Sequence, residues 1–173
     1  MPGGSPEGGY NLGPIGHTAA SVGIGAAVWA ATGEPLALPA AFVAGALNDA
    51  DHLLDYYLWF VRKDRRRVFL VFHAWEYAVV GLTLSLTIWQ HPALLAAALG
   101  HLGHMLGDQL ANRPKSKLAY SIIYRMRRGF DRRRLVGEVP ATMSQALDPN
   151  IPMWRLIERR LPRRIAELFE VDR

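Results

Sequence analysis

The sequence predicts an all-α fold: a polytopic bundle of about four transmembrane helices followed by amphipathic C-terminal helices. The first observation behind this prediction is a series of four apolar segments, at residues 15–32, 36–60, 69–90 and 93–110. The third segment has roughly the 20 residues that an α-helix needs to cross a bilayer. The second observation is the charge distribution, because residues 1–61 and 68–112 contain no lysine or arginine.

Turn-forming residues separate the apolar segments. The first segment is rich in alanine and glycine, which allow helices to approach closely in lipid. Gly33-Glu34-Pro35 predicts a turn after it, and His91-Pro92 predicts a tight turn between the third and fourth segments. Residues 1–14 lack the basic region of a signal peptide and are expected to form a disordered lead-in. We therefore expect a helical membrane domain at residues 15–111 and a basic region at residues 112–173.

The charge distribution also predicts the topology. Residues 1–112 carry 5 cations and 8 acids, a net charge of −3, whereas residues 113–173 carry 15 cations and 7 acids, a net charge of +8. Five cations lie together at residues 62–67, between the second and third segments. Short cation-rich loops stay in the cytoplasm. This loop and both termini are therefore expected on the cytoplasmic side of an inner membrane.

The basic tail predicts two amphipathic helices. Apolar side chains recur at helical spacing at Leu118, Ile122, Ile123 and Met126, and again at Trp154, Ile157, Leu161, Ile165 and Leu168. A connection at Gly137–Pro152 separates the two groups. Basic helices of this kind bind the anionic headgroups of the inner leaflet. Nucleic-acid binding through Arg132-Arg133-Arg134 is the weaker alternative, because no recognisable motif accompanies that run.

A soluble helical bundle with a core rich in alanine and leucine is the alternative to a membrane protein. Three of the four apolar segments carry ionisable side chains within the apolar run. The runs nevertheless show little of the 3.6-residue alternation with charged faces that is typical of soluble surface helices. This pattern favours the membrane interpretation.

Histidine and acidic side chains lie toward one end of each apolar segment, and in an antiparallel bundle these ends fall at the same depth. The candidate ligands and bases are His17, Asp49, Asp51, His52, Asp55, His73, Glu76, His101, His104 and Asp108. An isolated charge in lipid costs a few kcal/mol, so several together are tolerated only if they neutralise each other, line water or bind a cation. The size of this group favours a bound cation. The chain has no cysteine. Imidazole and carboxylate ligands suit zinc, with manganese or iron as alternatives.

Helical spacing groups these side chains further. His101, His104 and Asp108 are spaced i, i+3 and i+7, which places them on one face of a helix. His73 and Glu76, spaced i and i+3, are expected to share a face as well. The ligands of a metal site in a helical bundle project inward from facing helices in this way.

The second segment contributes Asn48-Asp49-Ala50-Asp51-His52 and Asp55. On a regular helix Asp51, His52 and Asp55 fall on one side, whereas Asp49 points away unless the helix breaks there. The candidate groups are numerous enough for one or two ions, with further carboxylates orienting the imidazoles. Paired metal ions about 4 Å apart suit phosphoester hydrolysis.

These motifs resemble those of the bacterial inner-membrane metal-dependent hydrolases, a family of small membrane proteins. Gly16-His17-Thr18 matches the family's N-terminal Gly-His, and Asn48–His52 matches its Pro-Asp-x-Asp-His motif with asparagine in place of proline. Gly100–Asp108 matches its Gly-x-Leu-x-His-x-x-x-Asp motif. The family's central His-Arg…Thr-His-Ser element is replaced here by Phe72–Glu76. The motif order is also similar to zinc-dependent phospholipase C, in which a His-x-x-x-Asp helix binds zinc.

The resemblance covers about residues 16–110, and it implies a metal site. Together with the chemistry of paired metal ions, the resemblance implies a membrane-embedded hydrolase acting on a phosphoester, such as a phospholipid or another amphiphile, through a water activated by two metal ions. Glu76, Asp55 or Asp49 is the candidate general base, and spacing does not separate a base from a ligand. A metal-ion carrier or sensor would use the same ligands without turnover. A structural or signalling membrane module would instead depend on the basic helices.

Overall fold

The computed structural model describes residues 13–112, 114–136, 156–157, 159–160 and 162. Within them the prediction of an all-α fold is confirmed, and the one strand-like pairing is an isolated bridge between Arg67 and Asp131. The helices are α1 (Gly13–Thr32), α2 (Ala37–Ala46), α3 (His52–Tyr56), α4 (Trp75–Thr87), α5 (Pro92–Ala111), α6 (Ile122–Arg127) and α7 (Arg132–Leu135). Four spans were predicted; among the described residues, no helix combines the length and the apolar character that crossing a membrane requires.

The turns between the long helices lie where the sequence places them. Gly33 ends α1 with a φ of 75°, a left-handed conformation that glycine adopts without steric cost. The Glu34 carboxylate then accepts a hydrogen bond from the backbone N–H of Leu36. At the start of α5, the His91 ring accepts a hydrogen bond from the N–H of Ala93, and Pro92 occupies the first helical position. Both turn predictions are therefore confirmed.

The second apolar segment changes helix type at its acidic motif. After α2 the chain tightens into a 3₁₀ turn at Leu47–Asp51, and it continues as α3 and then as a π-helical turn at Tyr57–Val61. A 3₁₀ turn places side chains i and i+3 on the same face. Asp49 and His52 are such a pair, with 3.7 Å between Asp49 Oδ1 and His52 Nε2. The α-helix is therefore interrupted at Asp49, as that side chain requires in order to face the other candidate ligands.

The third segment is helical only over α4, and residues 62–74 form an irregular stretch that precedes it. Ala74 has extended backbone angles, so the helix begins after His73 rather than before it. The prediction that His73 and Glu76 lie on one helix face is therefore wrong. The physical reason is that buried carboxylates of the second segment hydrogen-bond the backbone N–H groups of this stretch, which a helix would use internally.

Helix α5 is the centre of the bundle and packs against α1, α2 and α4, while α1 also packs against α2. Small side chains make the close contacts, as in the buried group Ala37, Ala41 and Ala96. Gly100 of α5 lies against the backbone of Ala41, and a Cβ added there would stand 2.5 Å from the Ala41 carbonyl oxygen. This close approach sets the distance between α2 and α5, which carry much of the site.

Replacing Gly100 with alanine should therefore destabilise the protein. The added methyl group meets backbone rather than a flexible side chain, and overpacking of this kind costs about 1–3 kcal/mol. Gly23→Ala is the matched control, because nothing lies within 4 Å of a Cβ at that position. The control should be neutral or stabilising by up to about 1 kcal/mol, the usual gain of alanine over glycine in a helix. Urea unfolding followed by circular dichroism compares the two, and equal stabilities would contradict the packing argument.

The first part of the basic tail packs into the helical domain. Ala119, Tyr120 and Leu135 lie in one apolar core with side chains of the middle of the chain: Trp59, Phe60, Val68, Leu70 and Met105. Backbone hydrogen bonds from Val68 to Phe130 and from Trp75 to Tyr120 join the two parts. Residues 114–136 thus help to build the core instead of forming a separate layer.

Three predictions fall largely on parts of the chain outside the described residues. These are the disordered lead-in, the connection at Gly137–Pro152 and the second tail helix. Of the apolar positions that predict that helix, Ile157 alone is described, and its side chain is exposed.

Candidate metal centre

Seven of the predicted side chains meet in one cluster inside the bundle. They come from α1, the 3₁₀ turn, α3, the irregular stretch before α4, and α5: His17, Asp49, Asp51, His52, His73, His104 and Asp108. Five of them are buried, while Asp49 and His52 are partly exposed at the edge. They form three overlapping groups, in each of which one ligand atom per residue lies within 4.8 Å of the others.

Three candidate ligand atoms at the centre of the cluster, with a fourth beside them, have mutual distances close to those between the ligands of one zinc ion. Nε2 of His73 lies 3.0 Å from Nε2 of His104 and 3.1 Å from Oδ2 of Asp108, and the latter two atoms are 3.5 Å apart. Oδ1 of Asp49 lies 3.5 Å from the His73 nitrogen and 3.6 Å from the His104 nitrogen. Ligands about 2.0–2.1 Å from a zinc ion at the centre of a tetrahedron are about 3.3 Å from one another. The five distances bracket that value.

The second oxygen of Asp108 connects this centre to α1. Oδ1 of Asp108 lies 3.1 Å from Nε2 of His17, and the ring centroids of His17 and His104 are 4.0 Å apart. Ser21 donates a hydrogen bond to the carbonyl of His17 one turn away. Each oxygen of Asp108 therefore lies beside a histidine. A carboxylate in this position links the central group of candidate ligands to His17.

Asp51 fixes the orientation of His73. Both of its carboxylate oxygens lie 3.0 Å from Nδ1 of His73, and Oδ2 also accepts hydrogen bonds from the backbone N–H groups of Phe72 and His73. A carboxylate bonded to one ring nitrogen leaves the other nitrogen directed at the metal position, a common arrangement around metal-bound histidine. This contact points Nε2 of His73 toward His104 and Asp108.

The electrostatics of the cluster favour a positive charge at its centre. Burial alone would raise the pKa of the Asp108 carboxyl, but hydrogen bonds from His104, His17 and His73 outweigh burial and hold the pKa far below its usual range. Burial alone would lower the pKa of the His73 ring, yet bonds to three carboxylates raise that pKa well above its usual value. A site that stabilises a proton among carboxylates in this way also suits a divalent cation.

Three predicted site residues lie outside the cluster and have other partners. His101 receives a hydrogen bond from the Asn48 amide at Nδ1, and its Nε2 lies 2.9 Å from the carbonyl oxygen of Ala74, so both ring nitrogens are engaged. The Glu76 carboxylate caps α6, where it accepts hydrogen bonds from the Ser121 hydroxyl and from two backbone N–H groups. The structure does not bring either side chain to the candidate ligands.

Asp55 is the third of these residues and is fully buried. Its two oxygens accept hydrogen bonds from the backbone N–H groups of Phe69 and Leu70, at 2.8 and 3.0 Å. Asp55 therefore anchors the irregular stretch that carries His73. Its carboxylate holds the backbone that carries this candidate ligand.

Two residues that lie near the cluster could not be identified from the sequence. Arg125 stands among the cations of the tail, yet its side chain is fully buried, and its guanidinium nitrogens have no hydrogen-bond partner among the described residues. Burial lowers its pKa, and the charges of Asp51 and Glu76 oppose that effect. Tyr120 packs its ring 6.0 Å from that of His73, and burial, followed by the charge of Asp108, raises its pKa. Only the folded tail brings these groups to the cluster.

Comparisons with known proteins do not assign a function to this site. Searches of protein-family models, curated proteins and solved structures found no match to this chain.

Proposed function

We propose that this protein is a metal-dependent hydrolase that acts on a phosphoester. The observation that carries the proposal is a triangle of buried candidate ligand atoms from His73, His104 and Asp108, which lie 3.0–3.5 Å apart, with the Asp49 carboxylate beside them at the accessible edge. Imidazole and carboxylate groups form a donor set that suits zinc, with manganese or iron as alternatives. When bound, such an ion lowers the pKa of water and polarises a phosphoryl oxygen.

The four residues differ in exposure, and that difference suggests their roles. His73, His104 and Asp108 are buried, whereas the Asp49 side chain is 25 % exposed. Catalytic zinc sites use three protein ligands and keep one position open for water. We assign the three buried residues to hold the ion. Asp49, at the accessible edge, accepts the proton of the attacking water. His17 and the second oxygen of Asp108 would hold a second ion.

An amphiphilic substrate fits the surroundings of the site. The cluster lies within helices of mainly apolar sequence, and an apolar pocket of about 270 Å³ between α2, α4 and α5 is lined by residues that include Phe72, Tyr77 and Leu94. Apolar pockets of this kind bind lipid chains or other apolar ligands. These features support a protein that works at the inner membrane, with a phospholipid or similar phosphoester as substrate.

Hydrolysis assays on the metal-loaded protein test the proposal. Bis(p-nitrophenyl) phosphate, p-nitrophenyl phosphate and phosphatidylglycerol in mixed micelles serve as substrates, and wild type should turn over at least one of them. Asp49→Asn should keep its metal and lose about 10²–10⁴-fold in kcat, the usual contribution of a general base. Asp64→Asn, a change at an exposed carboxylate, is the control and should leave kcat unchanged.

A metal carrier or sensor is the second candidate, and one observation favours it. If Asp49 binds the ion directly, the site has four protein ligands, and closed sites of that kind are structural rather than catalytic. Asp49→Asn would then lose metal rather than kcat alone. A metal-loaded wild type without turnover of any substrate class would support this candidate against the hydrolase.

A further inference from the structure

Two arginine-rich runs that are far apart in the sequence lie side by side in the fold. The backbone N–H of Arg132 donates to the carbonyl of Arg66 at 3.0 Å, and that of Val68 donates to Phe130 at the same distance. The Arg132 Nε also donates to the carbonyl of Arg65 at 2.7 Å. Backbone contacts therefore hold residues 62–67 against residues 131–134, although both runs are strongly cationic.

A pocket of about 560 Å³ lies between the two runs. Its lining is almost entirely basic: Lys63, Arg65, Arg66, Arg132 and Arg133, with Asp131 as the one acid among them. The Asp131 carboxylate has other partners, since Oδ1 accepts a hydrogen bond from the N–H of Arg133 and Oδ2 lies 3.5 Å from Nε of Arg134. The pocket thus carries an excess of four positive charges.

Contacts of its own side chain also hold Arg65 in position. The Arg65 guanidinium stacks over the ring of Phe60 at 5.3 Å from its centroid, and its Nε donates to the carbonyl of Trp59 at 3.4 Å. Trp59 in turn donates from its ring to the carbonyl of Arg67. Like charges held this close repel one another, and a bound anion removes that repulsion.

We propose that this pocket binds a phosphate-bearing anion. The guanidinium group matches phosphate oxygens with two parallel hydrogen bonds, which is why arginine predominates in phosphate sites. The volume lies within the usual range of small-ligand pockets, about 300–1,000 Å³. Free phosphate and the headgroup of an anionic phospholipid share this chemistry. None of the lining residues belongs to the metal cluster, so the inference does not rest on the proposed hydrolase activity.

Titration of inorganic phosphate into the purified full-length protein, followed by calorimetry, tests binding of a soluble ligand. EDTA is present so that phosphate held by a metal ion does not contribute. Flotation with vesicles of phosphatidylglycerol, compared with vesicles of phosphatidylcholine, tests the headgroup. The variant Arg66→Gln/Arg133→Gln removes two exposed cations of the pocket. Lys117→Gln/Arg127→Gln removes the same charge from exposed positions outside it.

Wild type should bind phosphate or phosphatidylglycerol vesicles, and the pocket variant should bind at least about tenfold more weakly, the loss of one good charge-assisted hydrogen bond. The control variant should bind as wild type does. Phosphate binding identifies a soluble ligand, and binding to phosphatidylglycerol alone identifies a lipid headgroup. Absence of binding to both ligands, or equal losses in the two double variants, would overturn the proposal. Equal losses would mean that net charge, not the pocket, attracts the anion.

Discussion

Asp108→Ala should abolish metal binding. Asp108 is the carboxylate that faces His73 and His104 with one oxygen and His17 with the other, so its removal takes a ligand from both parts of the cluster. His104→Ala should have the same effect, because its Nε2 is one of the four central atoms. Elemental analysis of the detergent-purified protein, loaded with zinc and manganese, gives the number of bound ions. Wild type should hold one or two equivalents, and each variant should hold none.

His91→Ala is the matched control for these metal measurements. The His91 ring lies at the start of α5, at the opposite end of that helix from His104 and Asp108. Its side chain is 56 % exposed. The variant should keep the wild-type metal content. A wild type without metal after loading would contradict the metal centre itself, and the cluster would then be a polar core of paired histidines and carboxylates.

Asp55→Ala should cause a large loss of stability. The change leaves the backbone N–H groups of Phe69 and Leu70 without an acceptor in a buried position, at about 1–3 kcal/mol for each. We expect the free energy of unfolding to fall by roughly 2–6 kcal/mol in total. Asp55→Asn keeps one carbonyl acceptor, so its loss should be intermediate. Urea unfolding at neutral pH gives both values.

The same variants distinguish an anchoring role for Asp55 from a catalytic one. If Asp55 anchors the stretch that carries His73, the folded fraction of Asp55→Asn should retain bound metal and turnover. A variant as stable as wild type but without turnover would instead assign Asp55 as the general base. The hydrogen bonds of both Asp55 oxygens to the backbone favour the anchoring role.

The fold class, the end of α1 and the start of α5 follow from local features of the sequence. The glycine and proline turns at residues 33–35 and 91–92 end and begin helices where expected. The spacing of His104 and Asp108 on α5 was also sufficient to place both side chains on the buried face. Local pattern succeeds in these cases because helix periodicity and turn chemistry depend on neighbouring residues alone.

The irregular stretch before α4 could not be predicted in the same way. Its apolar composition from Phe69 onward is typical of a helix, but the chain stays irregular through Ala74, and Leu70 has a positive φ of 44°. Asp51 and Asp55 supply the competing hydrogen bonds from positions 14 to 22 residues earlier. Long-range bonds of this kind override local propensity, and they decide that His73 is reached from a loop.

The sequence by itself determined the all-helical class, the chemical type of the candidate ligands and the two basic runs, because composition and helical spacing express these directly. Tertiary structure alone decided which candidates meet. It brings His17, Asp49, His73, His104 and Asp108 together, and it gives His101, Glu76 and Asp55 other partners. It also buries Arg125 and joins the basic runs into one pocket. The physical reason is that proximity between distant segments depends on helix packing and on hydrogen bonds between them, which no spacing along the chain encodes.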